Sequence, residues 1–271
     1  MSAQGDIGGS AQADWNLERV VDELLAAERE RRDRGRIVDE YPALDLAGAY
    51  RAQDLLVERK IAAGERLIGA KLGLTSEAKQ RRMGIDAPLT AWLTDAMSVE
   101  AGADVVMDEL IHPRVEPEIV FVLGEDLAGP GITAERALRS VSKVYAGYEV
   151  IDSRYRDFKF TLPDVVADNA SSARFGMSTV SVDPSDIDLI AEEAILRVDG
   201  VEVDRATGAA VQGNPAEALA LAANDLGRRG KSMKAGWIVL TGGMTDAVFL
   251  NRGSTVSVDF ATLGTVSVRG V

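Results

Sequence analysis

Residues 112–124 read HPRVEPEIVFVLG, and the reading of this stretch decides the fold. The apolar run from Ile119 to Leu123 is β-branched and aromatic, is closed by Gly124, and is too short for an ordinary helix, so the pattern predicts a strand. Side chains alternate faces on a strand, so Glu116 and Glu118 project the same way, roughly 6.7 Å apart along the chain. At 4 Å and an effective dielectric of 20, two carboxylates repel by about 4 kcal/mol. A divalent cation between them reverses that sign, while a solvent-facing polar edge is the alternative. Pro117 has no N–H for a sheet ladder, which predicts an edge strand or a bulge at this point.

Outward from this stretch, the chain from residue 65 is rich in short β-like runs separated by glycine-containing turns. They include LIGAKLGL (67–74), VYAGYEVI (144–151), ILRVDGVEV (195–203), WIVL (237–240), TVSVDF (255–260) and TVSVRGV (265–271). Asp199-Gly200 predicts a two-residue hairpin turn. Helical patterns interrupt the runs at 133–142 and 215–229, the second with Asn214 as N-cap, Pro215 in the first turn and Glu217 at N3. Strands outnumber helices without regular β-α alternation, so the fold class is α+β with a mixed or antiparallel sheet.

Residues 14–64 differ. Leu17, Val20, Val21, Leu24 and Leu25 recur at helical spacing after Asp14, and a second helix is predicted over 46–63 between Asp45 as N-cap and Gly64 as stop. The expected organisation is a disordered terminus at 1–13, a helical segment at 14–64 and a β-rich catalytic domain at 65–271.

Composition narrows the function. Of 271 residues, 43 are acidic and 30 are Lys or Arg, for a net charge of −13. With no basic patch, that charge argues against nucleic-acid binding. The absence of cysteine removes disulfides, thiolate metal sites and a cysteine nucleophile. The single histidine, His112, excludes multi-histidine metal centres, so a metal must be held mainly by oxygen, which points to Mg²⁺, Mn²⁺ or Ca²⁺. No apolar run is long enough to span a membrane and no secretory signal is legible, so a cytoplasmic protein is expected.

Other residues stand out against their surroundings. Glu149 lies in an apolar run, where an unpaired carboxylate is costly; an internal pair with Arg154 is the alternative to a metal ligand. Lys71 lies in an apolar β-like run and can act as an acid or an oxyanion stabiliser, or simply mark an edge strand. VVADNASS (165–172) reads as a small polar turn, and the two glycines of TGGMT (241–245) suit either a tight turn or an anion-binding loop. Gly64, Gly69 and Lys71 fail the phosphate-loop pattern, because Ala70 precedes the lysine and Leu72 follows it.

In order along the chain, GAKLGLTS with AKQRRMGI (78–85), HPRVEPEIVFVLG, EVIDSRYRDFKF, VVADNASS, GAAVQGNP (208–215) and TGGMT resemble the 2-oxo-3-hexenedioate (4-oxalocrotonate) decarboxylase and 2-hydroxypenta-2,4-dienoate hydratase family, within the fumarylacetoacetate hydrolase fold superfamily. The resemblance runs from about Ala47 to the C-terminus. It implies a divalent metal, normally Mg²⁺ with Mn²⁺ as the alternative, held by Glu116, Glu118 and Glu149. It also implies an active-site lysine at Lys71 and a substrate pocket lined by Asp168, Asn169, Ser171 and Thr245. The family's usual E-A-E is E-P-E here, which puts the local strand geometry at Pro117 in question.

DSRYRDFKF (152–160) and TGGMT resemble the decarboxylase branch more than the hydratase branch. The expected activity is therefore metal-dependent decarboxylation of 2-oxo-3-hexenedioate in aromatic meta-cleavage catabolism. The hydratase is the alternative, and an inactive scaffold partner of a hydratase is a third reading. The resemblance further implies a homo-oligomer and a possible complex with the pathway hydratase. A dicarboxylate substrate needs a cation for its second carboxylate; Arg154, Arg156 and Lys159 are near by sequence, and the choice among them stays open.

Overall fold

The structure, a computed structural model, describes residues 16–75, 80 and 88–271. The terminus at 1–13, the Asp14 helix start and, apart from Gln80, AKQRRMGI lie outside the described residues. Helices α1 (Leu17–Glu30), α2 (Ile37–Glu40) and α3 (Leu46–Ala62) come first. The Asn16 side chain caps α1 by accepting from Arg19 N–H, and Asp45 caps α3 by accepting from Gly48 N–H. One face of α1 buries Val20, Val21, Leu24 and Ala27, and α3 packs against both α1 and α5 (Leu162–Ala167). Buried Gln53 on α3 donates to the carbonyls of Thr90 and Val166, tying the helical segment to the β-rich domain. A continuous hydrophobic core runs from Val20 to Val268.

The strands are β1 (Leu67–Gly73), β2 (Leu89–Thr94), β3 (Arg114–Leu123), β4 (Val141–Ile151), β5 (Ser172–Val182), β6 (Glu193–Val198), β7 (Val201–Thr207), β8 (Ile238–Leu240), β9 (Val248–Phe249), β10 (Thr255–Phe260) and β11 (Gly264–Arg269). Among the described residues they form two sheets. The larger has the order β2-β1-β8-β3-β4-β5, with β9 also paired to β3; the smaller has the order β11-β10-β6-β7. Among these strands β1 and β8 pair in parallel and every other pair is antiparallel. The mixed α+β architecture is thus the one expected. Asp199 and Gly200 form the β6–β7 turn with φ of 50° and 80°, the positive values that a two-residue hairpin needs.

Two local expectations change, while the helix expected at 215–229 is present with the expected cap. The helix at 133–142 is the shorter α4 (Ala134–Arg139), because Val141 already pairs with Leu123 in β4. The helix at 215–229 is α6 (Pro215–Arg228), with Asn214 accepting from Ala216 N–H. The second change concerns Pro117: β3 is not an edge strand but lies inside the larger sheet, between β4 and β8. On its second side, β3 pairs with β8 only over Val120–Val122 and with β9 only over Arg114–Val115. Pro117 falls in the break between them, and its carbonyl accepts from Met244 N–H, 2.9 Å away, in the loop crossing that break. The missing N–H therefore costs no ladder bond, and the strand is locally an edge within a central position.

Candidate metal centre and active site

The sheet register brings the charged residues together. Glu116 is directly opposite Glu149 across the β3–β4 pair, and Glu118 lies two residues along β3 on the same face. Lys71 pairs with Leu240, which pairs with Val120 of β3, so Lys71 shares that face as well. Each of the three carboxylates offers an oxygen within 4.8 Å of the others'. Glu118 and Glu149 are buried and Glu116 is half-buried.

Lys71 Nζ lies 2.9 and 3.0 Å from the two carboxylate oxygens of Glu149 and donates to the Ala170 carbonyl at 2.7 Å. One oxygen of Glu118 accepts from Gly242 N–H at 2.7 Å, while the other is buried with no hydrogen-bond partner. Burial pushes the Glu118 carboxyl well above the ordinary carboxylate range, and repulsion from Glu149 and Glu116 adds to the shift. Burial also raises Glu149, with the Lys71 ammonium pulling it back down. An all-oxygen donor set with an orphaned, buried, mutually repelling carboxylate fits a hard divalent cation such as Mg²⁺ or Mn²⁺.

The double glycine of the 241–245 loop has a steric cause. A Cβ on Gly243 would stand 2.7 Å from the Glu116 carboxyl carbon, and one on Gly242, whose φ is 109°, would stand 2.2 Å from the Thr75 hydroxyl oxygen. Only glycine lets this backbone lie against the carboxylates and present Gly242 N–H to Glu118. The loop's anion here is thus a protein carboxylate.

Beside the carboxylates lies a cavity of about 80 Å³ whose polar wall includes Lys71, Glu116 and Ser171. Ile151, Phe158 and Phe160 contribute to its apolar wall. Of the pocket residues implied by resemblance, Ser171 is on the wall. Asp168 and Asn169 are not; both are spent on the framework behind it. The Asn169 side chain accepts from Trp92 N–H and donates to Trp92 C=O, each at 2.9 Å. Asp168 is fully buried and accepts from the Arg154 guanidinium and backbone N–H. Burial pushes its carboxyl up to about 6 even so. Thr245 is buried, with its hydroxyl donating to the Asp246 carbonyl at 3.0 Å, and it is not among the cavity-lining residues.

That framework serves a strained turn. Asn169, Ala170 and Ser171 have φ of 46°, 52° and 59°, three successive non-glycine residues in the left-handed region. Each such residue costs about 1–3 kcal/mol and persists only where its surroundings fix it. Here the Asn169–Trp92 pair and the Asp168–Arg154 pair do so, and the turn aims the Ala170 carbonyl at Lys71. Sequence reasoning missed this carbonyl and Gly242 N–H, because backbone groups have no residue signature. The glycine pair was the only visible trace of the second.

Comparison with known proteins agrees with the geometry. The chain is 40% identical over 250 residues to a 4-oxalocrotonate decarboxylase of Pseudomonas sp. (strain CF600), covering 92% of this chain and 95% of that one. It is 36% identical over 255 residues to a 2-hydroxyhexa-2,4-dienoate hydratase of Comamonas testosteroni, covering 93% and 97%. Among solved structures, 4-oxalocrotonate decarboxylase from Pseudomonas putida G7, complexed with magnesium and adipate, superposes with a TM-score of 0.91 at 37% identity, covering 95% of this chain and 99% of that one. Residues 68–269 match the profile of the fumarylacetoacetate (FAA) hydrolase C-terminal family. By this match, which takes in the carboxylate trio, Lys71 and the glycine loop, the chain belongs to the fumarylacetoacetate hydrolase family.

Proposed function

We propose that this chain is a Mg²⁺-dependent decarboxylase that converts 2-oxo-3-hexenedioate to 2-hydroxypenta-2,4-dienoate and CO₂. The observation that carries the reading is the convergence of Glu116, Glu118 and Glu149 beside buried Lys71 on one sheet face. Similarity to 4-oxalocrotonate decarboxylases supports it, as do DSRYRDFKF and TGGMT.

Glu116, Glu118 and Glu149 would hold the ion. When bound, Mg²⁺ supplies Lewis-acid stabilisation of negative charge developing on the substrate's 2-oxo oxygen. The substrate is a vinylogous β-keto acid. Breaking C5–C6 releases CO₂; its electron pair forms C4=C5, the C3=C4 pair moves to C2=C3, and the carbonyl pair moves onto the C2 oxygen. Lys71, beside the trio, would stabilise that oxygen and deliver its proton, which yields the 2-hydroxydiene. The Ala170 carbonyl and Glu149 fix where the ammonium points. Phe158, Phe160 and Ile151 give the cavity an apolar wall beside the site.

The hydratase reading uses the same fold and metal and has the similarity to the Comamonas hydratase in its favour. Product analysis separates the two. The Mg²⁺-loaded protein is expected to release CO₂ from 2-oxo-3-hexenedioate, to stop when EDTA is added, and to leave 2-hydroxypenta-2,4-dienoate largely unhydrated. Conversion of that dienol to 4-hydroxy-2-oxopentanoate without CO₂ release from the diacid would assign the chain to the hydratase branch instead.

A further inference from the structure

The three cations near the site by sequence are all engaged: Arg154 with Asp168, Arg156 with Asp33, and Lys159 with Asp157. Lys71 is held by Glu149. Arg114 differs. Among the described residues its guanidinium has no carboxylate partner, and its Nε is buried with no hydrogen-bond acceptor. It stands two residues before Glu116 on β3, on the face that carries the three carboxylates, and pairs across the sheet with the cavity-lining Ile151. Its guanidinium carbon lies 4.2 Å from the ring centre of Phe158, itself a cavity residue, and 4.4 Å from that of Phe249.

Aromatic faces satisfy the guanidinium's charge in part and hold its plane in place, yet among the described residues its N–H fork has no acceptor. Such a fork matches a carboxylate in a bidentate way. Two residues of strand separate Arg114 from Glu116 by roughly 6.7 Å, a span comparable to the length of an extended six-carbon diacid.

We propose that Arg114 is the receptor for the distal carboxylate of a dicarboxylic 2-oxo acid whose 2-oxo end lies at the Glu116–Glu118–Glu149 centre. This rests on the functional reading above and deepens it, because it makes Arg114 the group that selects a diacid over a monoacid. The sequence does not single out this arginine, since its lack of a partner is a tertiary property.

The test is calorimetric titration of the Mg²⁺-loaded full chain with 2-oxoadipate and with 2-oxohexanoate. These are saturated keto acids that differ in the distal carboxylate and cannot follow the vinylogous decarboxylation. The wild type is expected to bind the diacid about 10- to 100-fold more tightly, the range for a hydrogen-bonded charge pair. Arg114→Gln is expected to bring the two ligands close to parity with 2-oxohexanoate affinity unchanged, which also verifies an intact metal centre. Arg114→Lys, which retains stem and charge without the fork, is expected to keep only part of the preference, and its ratio decides the matter should Arg114→Gln fail to fold.

A wild-type preference that survives in both variants would overturn this assignment alone, as would a wild type that binds both ligands equally. A wild type that binds neither keto acid would overturn the functional reading, and the assignment with it.

Discussion

Replacing Glu118 by Gln is expected to lower Mg²⁺-dependent CO₂ release by about 1,000-fold or more while making the metal-free protein more stable. The first effect follows from weakening a centre whose electrostatic contribution is several kcal/mol, at 1.36 kcal/mol per factor of ten in rate. The second follows from burial. Glu118 has no exposed surface, one of its oxygens lacks a partner, and it faces two other carboxylates. Its folded pKa is raised well above the ordinary value. Above the unfolded pKa of about 4.3, the folded metal-free protein retains a proton that the unfolded chain has released. Stability of the metal-free wild type therefore falls as pH rises from there toward the folded pKa. A glutamine side chain at this position has no such dependence and can still accept from Gly242 N–H. In EDTA the melting temperature of Glu118→Gln should exceed that of the wild type by a margin that grows with pH across this window. In Mg²⁺ the order should reverse, because only the wild type gains strongly from the ion. Wild-type turnover in the variant would refute the ligand assignment.

Lys71→Met is expected to be inactive and destabilised. Met fills the stem's space but leaves buried Glu149 without its cation and the Ala170 carbonyl without its donor. Breaking one side of a buried pair costs about 3–5 kcal/mol. The ammonium holds the Glu149 carboxyl down, so its loss raises that pKa further. The destabilisation should be largest at neutral pH and shrink in acid, where Glu149 takes up a proton. Loss of a positioned acid lowers turnover by about 10²- to 10⁴-fold. Denaturant unfolding at pH 5 and pH 7.5 with parallel turnover measurement checks both. A pH-independent loss would mean that the pair is not the source of the destabilisation.

A physical division separates the features legible in the chain from those that were not. The E-x-E pair was legible because strand alternation is local and places both carboxylates on one face whatever surrounds them. The caps at Asp45 and Asn214 and the Asp199-Gly200 turn were legible for the same reason: each is settled within a few residues. Pro117 misled because an edge was inferred for a whole strand, whereas β8 and β9 leave a break on just one side of it. Helix α5 went unread although Thr161 and Asp164 mark its start, with the Asp164 carboxylate accepting from Thr161 N–H at 2.9 Å. The left-handed turn at 169–171 contains no glycine, so its conformation comes from Trp92 and Arg154, remote in sequence. The hydrogen bonds that tie Asp168 and Asn169 to Arg154 and Trp92 could not be read until those partners were located.

Crystals of the protein soaked in Mn²⁺ and measured at the manganese absorption edge would locate the metal relative to the trio on β3 and β4. An anomalous peak bounded by Glu116, Glu118 and Glu149 is expected, and it should be lost in Glu118→Gln. Manganese bound elsewhere with the trio empty would rule out these three carboxylates as the metal centre.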